Sequence, residues 1–145
     1  MSRLEVYSDG SGEAKVGRPG GWAWVIIRDD VELARGWGQA AHTTCLLMEL
    51  EAAHAGLRAV LRREWERDHE VVLISDSSIV LDVAAGRFMP KPPKYTALAA
   101  SLRAVALEAR AVTKWVRAHH GHRWNEQVDG LARDARTGAH VRLFA

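Results

Sequence analysis

The stretch Glu70-Val-Val-Leu-Ile-Ser75-Asp76 decides how the chain is to be read. Its apolar run is of strand length and does not alternate, the pattern of a strand covered on both faces by other layers. It ends abruptly in Asp76-Ser77, where hydroxyl and carboxylate groups can cap a short helix, Ile79 to Ala85, that stops at Gly86. Upstream, Leu46, Leu50, Ala53, Leu57, Val60 and Leu61 recur at helical spacing from His42-Thr43-Thr44 to about Glu66. Further back lie three strand-like runs: Leu4 to Ser8, Gly21 to Arg28 and Val31 to Gln39, the last two forming a hairpin about Asp29-Asp30. Downstream, the prolines of Met89 to Lys94 exclude a helix. A second amphipathic helix is predicted from about Tyr95 to Arg110, then a strand from Val112 to Arg117, a His/Gly-rich loop from Ala118 to Trp124, and a last helix from about Asn125 to Thr137. The order predicts an α/β fold: a mixed sheet of five strands, its later strands parallel through helical crossovers.

Composition fits one domain over residues 1–145. The chain has 145 residues, 48% hydrophobic and 26% charged, enough to bury a core without disulfides. No apolar run approaches the roughly 20 residues that cross a bilayer, and the N-terminus turns polar too early for a secretory signal, so a cytoplasmic protein with no membrane partner is expected. Cys45 is the only cysteine and has no intrachain partner. A net charge of +2 with a pI near 9.0 conceals a basic stretch, Arg87 to Arg123, whose only acid is Glu108. Such a stretch either faces phosphates or forms an ordinary solvated surface.

Four acids stand out. Asp9 and Asp76 each end a predicted central strand, the edge at which open α/β sheets gather their chemistry, although Asp-Gly and Asp-Ser also make ordinary turns and caps. Glu49 borders the apolar face of its helix and Asp129 does the same on the last one. A carboxylate there costs desolvation unless something positive compensates, so each is a paired structural acid or a metal ligand. Four such acids meeting at one edge would repel, and paired divalent cations would relieve the repulsion; oxygen-only donors favour Mg²⁺ or Mn²⁺.

With Tyr7-Ser-Asp-Gly-Ser11, Gly20-Gly21, Thr43-Thr44, Met48-Glu-Leu50, Ser75-Asp-Ser77, Val116-Arg-Ala-His-His-Gly-His122, Asn125-Glu126 and Asp129 to Ala132, the chain resembles the type 1 ribonuclease H family in motif order and spacing. The resemblance implies an RNase H-like fold and an endonuclease that hydrolyses the RNA strand of RNA–DNA hybrids with two Mg²⁺ or Mn²⁺ ions held by Asp9, Glu49, Asp76 and Asp129. It implies a proton-moving role for His119 and a phosphate contact at Thr44; beside these, Ser11, Ser78, Lys91 and Lys94 are expected to contact substrate, and with no protein partner evident a monomer is expected. His122 is expected to brace the loop, and Glu126 is either an acid near the metals or a first-turn helix acid. Trp22, Trp24 and Trp115 read as core residues rather than base-stacking platforms.

The chain departs from the family where Cys45-Leu46-Leu47 replaces Asn-Asn-Arg, where Ser78 replaces a Gln, and where only Met89 to Lys94 stands in place of a basic protrusion. Groove recognition separates RNA from DNA, so these departures leave two other readings open: the same acids cutting double-stranded RNA or branched DNA, or a non-catalytic nucleic-acid-binding module.

Overall fold

The structure, a computed structural model, describes residues 1–14, 17–118 and 120–138. Five strands form one sheet in the order β3-β2-β1-β4-β5: β1 (Ser2–Ser11), β2 (Arg18–Arg28), β3 (Val31–Thr43), β4 (His69–Ser75) and β5 (Val112–Trp115). The first three pair antiparallel, while β4 runs parallel to β1 and β5 parallel to β4, the mixed topology expected from the sequence. Helices α1 (Cys45–Arg62), α2 (Ser78–Ala85) and α3 (Pro93–Ala109) cover one face, and α4 (Arg123–Thr137) covers the other.

Strand alternation explains the two cores. Leu4 and Val6 of β1, Trp24 and Ile26 of β2, and Val71 and Leu73 of β4 turn toward α1, where they meet Leu50, Leu57 and Val60. Ala23, Val25 and Ile27 turn the other way and pack under Trp124, Val128, Leu131 and Ala132 of α4. Tyr7 lies with this second set and with Val72 and Ile74. Asp9, two residues on from Tyr7, therefore falls on the α4 side of β1.

Glycines set how closely the layers approach. A Cβ at Gly10 would collide with the backbone of Met48 and Glu49, so the first turn of α1 lies directly on the end of β1. At Gly21 a Cβ would strike the Ala132 carbonyl and the Arg136 amide, which seats α4 on β2.

Several boundaries differ from the sequence reading. β1 continues through Asp9-Gly10 to Ser11 because these residues pair with Gly21 to Ala23, so the turn signal yields to a longer ladder. β3 likewise runs on to Thr43, with a register shift near its end. β5 stops at Trp115, and that residue is 55% exposed rather than core. Among the described residues its strand pairs only with β4, at the edge of the sheet. The hairpin turn at Asp29-Asp30 places both residues at positive φ, 51° and 61°, the left-handed pair that a tight two-residue hairpin demands.

Candidate active site

The end of β1 is the centre of the acidic cluster. Parallel pairing of β1 with β4 runs to Tyr7 opposite Ile74, and two more residues in that register put Asp9 opposite Asp76. On its other side Asp9 pairs with Ala23, which lies beneath α4. Glu49 arrives from the opposite face, where Gly10 lets the α1 backbone come down onto the strand. The fold thus brings together four acids that are far apart in sequence.

Their electrostatics show the convergence. Asp9 is only 5% exposed, and its pKa is pushed from 3.8 to about 9. Burial is the largest cause, followed by the charge of Asp76, a hydrogen bond and the charge of Asp129, and the charge of Glu49. Glu49 is also raised, by burial first; hydrogen bonds from Ser77 and Cys45 pull it down and Asp76 pushes it up. Among the described residues, no three His, Cys, Asp or Glu side chains form a ready-made metal-binding group. Asp129 directs one oxygen to Arg133 at 3.1 Å, an i,i+4 ion pair.

Neighbouring groups hold these acids in place. The Gly10 amide donates to Asp9 Oδ1 at 3.0 Å. Asn125, 2% exposed, donates through Nδ2 to Asp76 Oδ2 at 3.5 Å, and its Oδ1 is buried with no partner among the described residues. Sequence reading quoted Asn125 but gave it no role; the available signal was its place four residues before Asp129, on the same helical face. Ser77 and Cys45 were missed as supports of Glu49. Cys45 donates from Sγ to Glu49 Oε1 at 3.6 Å, and burial with the nearby carboxylate pushes its thiol up to about 12, an inert thiol. Trp115, expected in the core, instead donates its indole N–H to the Asp76 carbonyl at 3.1 Å.

The expected substrate contacts fall into two groups. Thr44 caps α1, accepting from the Leu47 amide, and its hydroxyl stands 3.4 Å from that of Tyr95 at the start of α3. Lys94, in the first turn of α3, holds its ammonium 5.1 Å from the Tyr95 ring centre; that helix starts at Pro93, inside the segment expected to be non-helical, because proline is tolerated in a first turn, and Lys91 is exposed in the linker before it. Tyr95 had not been singled out. Ser11 lies at the end of β1 opposite Gly21, and Ser78 is exposed in the first turn of α2. Leu46 packs against the α1-side core.

His119 lies outside the described residues. Around it, His120 Nε2 is 3.4 Å from Arg117 Nη1, and His122 precedes α4 without a side-chain cap bond. Glu126 is exposed and accepts from the Gly121 amide at 3.1 Å, so it ties down the loop as a first-turn acid. Glu126 braces the loop, and among the described residues no hydrogen bond of the His122 side chain joins it.

The family model described as RNase H matches residues 1–137. A ribonuclease H of Pseudomonas entomophila is 34% identical over 141 residues, covering 89% of this chain and 90% of that protein. A ribonuclease H of Erythrobacter litoralis is 32% identical, covering 93% and 96%. Among solved structures, the N-terminal RNase H domain of Rv2228c from Mycobacterium tuberculosis, fused to maltose-binding protein, superposes with a TM-score of 0.81 at 24% identity, covering 99% of each chain. LC11-RNase H1 in complex with an RNA/DNA hybrid gives 0.78 at 22% identity, covering 94% and 99%, a likeness of fold.

Proposed function

The chain belongs to the RNase H family, and from that membership we propose that it hydrolyses the RNA strand of RNA–DNA hybrids, with Asp9, Glu49, Asp76 and Asp129 holding two divalent cations. The observation that carries the reading is Asp9: a buried carboxyl at the end of the central strand, crowded by the charges of three other acids. Such crowding is costly in an ordinary fold and is relieved by cations. An all-oxygen donor set suits Mg²⁺ or Mn²⁺. When bound, the ion pair supplies Lewis acidity, activating a water and stabilising the leaving 3′ oxygen, so that the product carries a 5′-phosphate.

The chain's own groups prepare that chemistry. Asp9 stands between the acids of both faces, while Asn125 fixes Asp76, and Ser77 and Cys45 fix Glu49. The Thr44 and Tyr95 hydroxyls offer donors to a backbone phosphate at the start of α1, beside the cations of Lys91 and Lys94. Ser11 and Ser78 border the same edge, and His119 moves protons from its loop. Residues 1–145 act as one catalytic unit. No described helix is long and apolar enough to cross a membrane.

Labelled RNA–DNA hybrid, RNA duplex and DNA duplex, each incubated with Mg²⁺ or Mn²⁺, test the assignment. Cutting confined to the RNA strand of the hybrid is expected, and Asp9→Asn should reduce it to background while leaving hybrid binding in place. Cleavage of DNA alone, or full activity in Asp9→Asn, would defeat the reading.

A further inference from the structure

A groove of about 360 Å³ lies between α1 and the edge strand β3, within the size range of ligand sites. Its floor is indole. Trp22 lies across Gly38 and Trp24 across Gly36, so closely that a Cβ on either glycine would collide with the ring. Both rings line the groove, and Trp22 is only partly buried.

Its rim is cationic. Arg58, Arg62 and Arg63 line one wall and are exposed, and no ion pair among the described residues includes any of them. Arg63 stacks 5.2 Å from the Trp65 ring centre and donates to the Ala59 carbonyl, contacts that keep its charge unneutralised. Arg35, on the β3 side, is already taken by Glu32 at 2.6 Å. Against the three free guanidinium groups stands one lining acid, Glu51, and His54, whose pKa is lowered by burial, adds little charge near neutrality. The groove is separate from the acidic cluster: Arg58 comes nine residues after Glu49, about 13 Å along the helix and half a turn around it.

Planar faces beside unneutralised guanidinium groups match the chemistry of an unpaired nucleotide. A duplex keeps its bases stacked on one another and cannot offer them to an indole, whereas a single strand can splay a base onto the ring and lay its phosphates on arginine. We infer that the α1–β3 groove binds single-stranded nucleic acid, with a base against Trp22, which rests beside the buried Trp24, and phosphates on Arg58, Arg62 and Arg63.

The test uses the full chain in chelator, where cutting cannot occur, with a fluorescent oligouridylate of about ten nucleotides as probe. Arg58→Glu with Arg62→Glu should weaken its binding about tenfold or more and flatten the salt dependence, while cleavage of a blunt hybrid by the same variant stays unchanged. In the unsubstituted protein, titration should shift the indole N–H resonance of Trp22. The inference fails if the double variant binds as well as the parent, or if the oligonucleotide moves the Trp115 resonance and leaves that of Trp22 in place. It fails equally if an oligoglutamate peptide displaces the probe as readily as unlabelled RNA does, since the groove would then read acidity and not bases.

Discussion

On one face of the sheet, α1 shares its core with α2 and α3, and its first turn rests on Gly10 with no side chain between. On the other, α4 is the one helix among the described residues, over a smaller apolar cluster. Its first turn is fastened by polar contacts: Trp124 Nε1 donates to Asp30 Oδ1 at 2.7 Å, and Arg123 reaches Asp30 Oδ2 at 3.1 Å. Glu49 is thus placed by packing, and Asp129 by a helix that is partly tied at one end. The difference teaches that one site can have a rigid side and an adjustable side, with Asp9 between them.

Gly10→Ala strikes the rigid side and should have the largest effect on stability. The new methyl meets backbone, which cannot swing away, so a loss of about 3 kcal/mol is expected in chemical denaturation, toward the upper end of over-packing costs. A loss under ~0.5 kcal/mol would show that α1 is free to shift. The carboxyl between the two sides gives the next effect. The folded state keeps Asp9 protonated up to about pH 9, whereas the unfolded chain releases that proton near 3.8. The contribution of Asp9 to stability in chelator is therefore fullest below about pH 4 and is lost as pH rises toward 9, because over that window the folded state binds its proton more tightly. Asp9→Asn should flatten this slope, and added Mg²⁺ should counter it; denaturation midpoints across the range measure both.

The adjustable side should respond less. Asp30→Gly, which suits the positive φ of the hairpin, removes the acceptor of Trp124 and Arg123 and should cost about 1.5 kcal/mol, with faster amide exchange confined to the start of α4. Exchange that quickens equally in α1 would erase the distinction between the sides. Smallest of all, Arg133→Gln breaks an exposed i,i+4 pair, with side chains 66% and 23% exposed, and should change stability by no more than about 0.5 kcal/mol. Because it frees Asp129, midpoint Mg²⁺ titrations should move toward lower concentration.

Much of this was readable in the chain. An unbroken apolar run at Val71 to Ile74 announced a strand buried on both faces, and the 3.6-residue recurrence from Leu46 to Leu61 announced α1. The four acids were visible as carboxylates at strand ends and beside apolar stripes. Trp115 was misread because alternation shows that a residue projects from a strand but not whether a neighbour covers it, and β5 is an edge strand. Cys45, Ser77 and Tyr95 were hidden for a related reason: each acts across elements whose meeting depends on tertiary packing. Asn125 carried a local signal, its i,i+4 relation to Asp129, but the spacing alone does not reveal Asp76 as its partner.

Gly20 and Gly21 mark a point of close approach between layers, with Thr43 and Met48 pressing on the first and α4 backbone on the second. Tolerance to alteration is accordingly uneven. Extra residues in the exposed proline-containing linker between α2 and α3 would hang outside the layers, whereas a single methyl at position 20 or 21 would act as a wedge driven between them.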